Sequence, residues 1–138
     1  MPRKEYASRD ELDVVAGFCD LVIRYQINRN VKSGHKYYMP PRNIARIIGV
    51  SSSVFDKLIS ETEVKITKQA KQRIRKLQEI VDILYNALDS HEIYEWLLSP
   101  NKLEYMKANR PIDYLLKQNF DIVKDAALDL RDAIDLKH

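Results

Sequence analysis

Residues 67–88 read TKQAKQRIRKLQEIVDILYNAL, and this stretch decides the fold. Ala70, Ile74, Leu77, Val81, Leu84 and Leu88 recur every third or fourth residue. That spacing lays one apolar stripe along a helix of about six turns. Ile80 and Ile83 widen the stripe, so the C-terminal half is expected to be buried on more than one side. The N-terminal half instead crowds Lys68, Lys71, Arg73, Arg75 and Lys76 together. The helix thus leads from a basic region into an acidic, apolar one. Residues 1–76 carry 16 Lys/Arg against 8 Asp/Glu, and residues 77–138 carry 7 against 12, within a net charge of +3. A sign asymmetry of this kind suits an anion such as nucleic acid at one end and a basic partner at the other.

A chain of 138 residues fits one domain or two small lobes sharing a core. With three glycines and apolar residues at helical rather than alternating spacing, the expectation is an all-α fold. Cys19 is the sole cysteine, which excludes an intramolecular disulfide and reads as a small buried side chain. The early apolar run at residues 14–19 is flanked by Asp13 and Asp20 and is too short for a signal peptide. Nothing reaches membrane-spanning length, so a cytosolic protein without membrane contact is expected. His35, His91 and His138 lie in separate segments, and there is no glycine-rich phosphate loop. No nucleophile–base set stands out, so a non-enzyme without metal or cofactor is expected. His91 and Glu95, one turn apart, read as a surface pair.

Residues 41–60 carry the most specific signal. Pro41 suits a first helical turn. Ile44, Ala45, Ile48, Gly49, Val50, Phe55 and Leu58 then take the spacing of a helix-turn-helix. Ala45 allows close approach of the second helix, Gly49 supplies a turn at positive φ, and Ser51 or Ser52 caps that second helix. Docked as such motifs dock, the second helix enters the major groove by its N-terminal end. Ser52, Ser53, Asp56 and Lys57 then face outward. Ser51, Ser52 and Ser53 are expected to bond to phosphates or base edges and Lys57 to reach a phosphate, while Arg42 and Asn43 reach the flanking backbone. That helix has no arginine, glutamine or asparagine for bidentate base contacts, and Asp56 repels phosphate. Lys65, Lys68, Lys71, Arg75 and Lys76 would extend a phosphate-binding face beside it.

Residues 1–9 are expected to be a frayed lead. Ser8 or Asp10 then caps a helix to Asn28 whose inner face is Leu12, Val15, Cys19, Val22 and Ile23. Residues 29–41 read as a loop and 61–67 as extended. After the long helix, Ser90 is expected to cap a helix whose apolar residues are Ile93, Trp96 and Leu97. A single turn at 102–106, a short helix opened by Pro111 and a last helix from Asp121 complete the chain. Asn119 is the expected terminator before that last helix. Ile122, Val123, Ala126, Ala127, Leu130 and Ile134 form its inner face, and Asp125, Asp129, Asp132 and Asp135 its acidic side.

From Leu77 onward, the order of elements carries a resemblance. Residues 95–101 read EWLLSPN and residues 110–116 read RPIDYLL. The tryptophan-leucine-x-x-proline-asparagine and proline-x-x-x-leucine-leucine runs resemble the C-terminal toxin-binding domain of the Xre/MbcA/ParS antitoxins. The upstream helix-turn-helix is similar to that family's N-terminal half, so the resemblance spans residues 41–134. It implies a helix-turn-helix region at 1–66 and a connecting helix with a toxin-binding domain at 67–138. Trp96, Pro100, Asn101 and Pro111 fall on the family's words and are implied to frame the domain. The last helix and tail, through Asp132, Asp135, Leu136, Lys137 and His138, are implied to meet the toxin, often a RES-domain enzyme that consumes NAD. Double-stranded operator DNA and a homodimer or larger assembly are the other implied partners. Where the family carries glycines before its second proline and before its last helix, this chain has residues 102–110 and Asn119-Phe120. Without a toxin, the same chain reads as a stand-alone helix-turn-helix regulator or a pure protein-binding module.

Overall fold

The computed structural model describes residues 3–35 and 37–136. Its helices are α1 (Arg9–Asn28), α2 (Pro41–Ile48), α3 (Ser52–Ile59), α4 (Lys68–Tyr85), α5 (Ser90–Leu98), α6 (Pro111–Leu116) and α7 (Phe120–Asp135). A 3-10 turn, Glu104–Met106, sits between α5 and α6. Among the described residues, no helix is long and apolar enough to cross a membrane.

α4 is the axis. Thr67 caps it, its hydroxyl oxygen accepting from the Ala70 N–H at 3.1 Å. Ala70, Ile74, Leu77, Ile80 and Leu84 are buried along it, and the helix packs on α1, α2, α5 and α7. Each fully buried aliphatic side chain contributes roughly 1.5–3 kcal/mol relative to exposure. One apolar cluster therefore runs from Val15 on α1 through α4 to Ala127 on α7. The helix ends at Tyr85, short of Leu88. Asp89 rather than Ser90 caps α5, because Asp89 and Glu92 satisfy each other's backbone N–H groups in a capping box.

The first nine residues are not all a frayed lead. Strand β1 (Lys4–Tyr6) pairs antiparallel with β2 (Lys65–Thr67), with Lys4 opposite Thr67 and Tyr6 opposite Lys65. The Ala7 N–H extends the ladder to the Val64 carbonyl at 3.0 Å. Ser8, the first of the two expected capping candidates, closes a capping box with Glu11. The inner face of α1 is rotated from the expected one: Phe18, Leu21 and Gln26 are buried, whereas Ile23 is exposed. Glu11, in the first turn, is buried on the same inner face.

Two tight turns take left-handed backbone at residues other than glycine. Lys107 and Ala108 lie at φ 52° and 62°, and Gln118 at φ 64°. Each of these residues takes that conformation at a cost of about 1 kcal/mol. Gln118, not Asn119, thus terminates α6, and Asn119 stands at the N-terminus of α7.

Candidate functional site

The 41–60 segment folds as a helix-turn-helix. α2 ends on Gly49, at φ 84° and ψ 39°, whose N–H donates to the Ala45 carbonyl. The guanidinium of Arg73 on α4 lies against this turn, so a Cβ on Gly49 would stand 1.8 Å from its Nη1. Ser51 caps α3, its Oγ accepting from the Val54 N–H at 3.2 Å. Its side chain is therefore committed to the helix start. Phe55 and Leu58 pack α3 inward against α1 and α2. Ser52, Ser53, Asp56 and Lys57 are all exposed, so the second helix of the motif presents a polar face to solvent.

The other expected DNA contacts occupy two neighbourhoods. Arg42 and Asn43, at the start of α2, border a cleft of about 540 Å³ with Ser33, His35, Tyr38 and Arg110. Lys65 and Lys68 flank the β2–α4 junction, where Lys65 Nζ lies 5.0 Å from the centroid of the Tyr6 ring. Strand pairing brings Lys4 to the same ribbon, a cation missed because β1 has no hydrophobic pattern of its own.

Lys71 does not belong to the basic face. Its Nζ donates to Glu11 Oε1 at 2.8 Å and to the Tyr6 carbonyl at 2.8 Å; Glu11 is buried and Lys71 keeps a little exposure. Burial pushes the Glu11 carboxyl up, but the hydrogen bonds from Lys71 and Ser8 and the charge of Lys71 outweigh it, leaving the pKa lowered. Glu11 Oε2 is buried with no partner. Lys76 is also partly spent, lying 3.8 Å from Asp121.

At the other end, α7 presents Asp125, Asp129 and Asp132 along a shallow recess shared with Tyr105. The Tyr105 hydroxyl donates to Asp129. Burial, this hydrogen bond and the neighbouring carboxylates raise the Tyr105 pKa. Asp132, Asp135 and Leu136 are exposed, Leu136 at 89%; Lys137 and His138 lie outside the described residues. A second cleft, about 420 Å³, opens between the end of α5 and α7, with Trp96, Pro100, Asn101, Leu103, Leu130 and Ala133 on its walls. Trp96 is only half-buried; Tyr94 takes the core position on α5 and donates its hydroxyl to the Tyr37 carbonyl at 2.8 Å. Asn101 organises the loop, its Oδ1 accepting from the Leu103 N–H at 2.9 Å and its own N–H donating to the Asn109 carbonyl at 3.0 Å. Pro111 is buried at the start of α6. The basic and acidic ends are joined by contact as well as by α4: Gln118 Nε2 donates to the Arg46 carbonyl on α2 at 3.1 Å.

This architecture has a solved counterpart. The chain shares its fold with a chain of the M. tuberculosis MbcT-MbcA toxin-antitoxin complex. The superposition covers 89% of this chain and 95% of that one, with a TM-score of 0.57 and 17% sequence identity. No family model matches the sequence, and no curated protein matches it. The likeness is therefore one of fold, and the fold is the helical one that the resemblance to Xre/MbcA/ParS antitoxins implies. Among the described residues, no group of His, Cys, Asp and Glu side chains is placed to hold a metal ion.

Proposed function

We propose that this protein is an antitoxin: it binds and neutralises a toxin protein through its α7 end and binds its own operator through α3. The observation that carries this reading is the coincidence of two features in one chain. Nearly its whole length takes the fold of a chain from a toxin-antitoxin complex, and it holds a helix-turn-helix whose second helix is exposed. Residues 1–66 form the DNA-facing part and 67–138 the toxin-facing part, with α4 common to both. In this reading Arg42, Asn43, Lys57, Lys65 and Lys68 contact phosphates, and Ser52 and Ser53 stand at the groove. Ser51 serves as the cap of the reading helix. Asp132, Asp135 and Leu136, together with Lys137 and His138, meet the toxin. Trp96, Pro100, Asn101 and Pro111 hold the frame behind that contact. A homodimer presents two reading heads to a palindromic site. The protein contributes no catalytic step of its own; it acts by occlusion.

Co-expression with the product of the adjacent gene tests the toxin role. Protection of the cells and co-purification are expected, and both are expected to weaken in Leu136→Asp. Growth arrest with no complex would refute it. Titration of the upstream intergenic DNA at several salt concentrations tests the other half. Preference over random DNA is expected, with a salt slope reduced by about one for each of Arg42→Ala and Lys57→Ala. Equal affinity for random DNA would refute operator reading. Operator binding without toxin protection would leave a stand-alone regulator.

A further inference from the structure

α1 and α4 do not close on each other along their whole length. Between them lies a groove of about 350 Å³ whose apolar walls include Val14, Phe18, Leu21 and Val81, with Tyr85 half-exposed at its edge. The rim is acidic: Asp10 and Asp13 on α1 face Asp82 on α4, and among the described residues no cation lines the groove. Asp10 and Asp82 have no ion-pair partner among the described residues, while Asp13 shares the exposed Arg9 at 3.3 Å. None of the lining residues belongs to α3 or α7, so the groove is separate from both proposed binding ends.

Gly17 sits on this groove in the middle of α1. A glycine in a helix interior costs about 1 kcal/mol relative to alanine. The other two glycines are explained by their backbone, at φ 91° for Gly34 and φ 84° for Gly49. Gly17 is helical, and a Cβ built on it meets nothing within 4 Å. This chain's own packing does not require a glycine there. With no side chain and open space above it, Gly17 leaves room for another helix to approach α1 closely.

We propose that the α1–α4 groove is a docking site for a cationic amphipathic helix of a partner protein. The groove supplies the seat between two helices into which a third packs. Its lining on α1, from Asp10 to Leu21, spans roughly 16 Å, the length of about three helical turns. The apolar stripe of the partner sits on Val14, Phe18 and Val81, its backbone passes over Gly17, and lysines or arginines along its edges meet Asp10, Asp13 and Asp82. A second copy docked by two-fold symmetry would set these carboxylates against their own images, which opposes self-docking.

The test uses the full chain and a synthetic three-turn peptide carrying leucines on one face and lysines along both edges, with a glutamate-edged version as control. Binding is read by fluorescence anisotropy at low and high salt. The lysine peptide is expected to bind and the glutamate peptide not to. Asp10→Asn/Asp13→Asn/Asp82→Asn is expected to weaken binding about tenfold at low salt, and Gly17→Leu to abolish it with the circular dichroism unchanged. Should Gly17→Leu fail to fold, the triple asparagine variant, which alters only rim side chains, decides alone. Failure of the lysine peptide to bind, equal binding of both peptides, or indifference to the triple variant overturns the proposal. So does a concentration-dependent dimer in sedimentation that Gly17→Leu dissolves, since the occupant would then be a second copy.

Discussion

Replacing Lys71 by methionine isolates the buried ion pair that joins the N-terminal segment to α4. The substitution keeps the aliphatic stem against its neighbours but removes the donor to Glu11 Oε1 and to the Tyr6 carbonyl. Glu11, only 5% exposed, is then left with Oε2 already unpartnered and Oε1 held only by the Ser8 N–H at 2.7 Å. Breaking one side of a buried pair costs about 3–5 kcal/mol. Lys71 keeps some exposure, so a loss of about 3 kcal/mol near neutral pH is expected, which lowers Tm by roughly 10 °C in a domain of this size. The loss should depend on pH with a defined sign. In the parent, the Glu11 pKa is lowered on folding. Its contribution is therefore complete above the unfolded glutamate value of about 4.3 and is lost as pH falls through the folded value. In Lys71→Met, burial dominates, the folded pKa rises, and the penalty is relieved as Glu11 takes up a proton. The gap between the two proteins should narrow steadily on acidification. Glu11→Gln/Lys71→Met should recover most of the neutral-pH loss, because neither member remains as an unpaired charge. Urea titrations at a series of pH values measure all of this. A Lys71→Met protein as stable as the parent at neutral pH, or a gap that widens in acid, would refute the reasoning.

Three other outcomes are expected. Gly49→Ala should lose about 1–2 kcal/mol by urea denaturation, from the positive φ of the turn; adding Arg73→Ala should not restore it, because the strain is in the backbone and not in the contact with the guanidinium. Ala108→Gly should gain about 0.5 kcal/mol in the same assay, relief of the left-handed strain exceeding the entropy added to the unfolded chain. The Cys19 thiol is pushed up to about 12 by burial, so at mildly alkaline pH its reaction with a disulfide reagent should wait on unfolding and accelerate with denaturant.

Much of the helix-turn-helix was legible because its signals are local. Pro41, Gly49 and Ser51 each answer a backbone need within a few residues of themselves, and Ile44, Ile48, Phe55 and Leu58 repeat at a helical period. The resemblance at residues 95–101 and 110–116 likewise pointed to the fold that the comparison bears out. The binding surfaces were less legible. Lys71 reads as one more cation in a basic run, and only its contact with Glu11, 60 positions away, withdraws it from solvent. Trp96 reads as one of the apolar residues of α5, but only the packing of α5 on α1 and α6 shows that Tyr94 fills the core and the indole lies on a cleft wall.

From the sequence alone came the helical class, the axis along α4, the turn at Gly49 and the split of charge between the two ends, because periodicity, capping and composition act within a few turns of the chain. Tertiary structure alone decided the β1–β2 ribbon, the inward turn of Glu11, the azimuth of α1 and the groove over Gly17. Each of these depends on which distant side chain arrives alongside. Such arrivals carry no local period: residues 61–67 read as extended, but the three residues of β1 leave no mark in the sequence until that partner is in place.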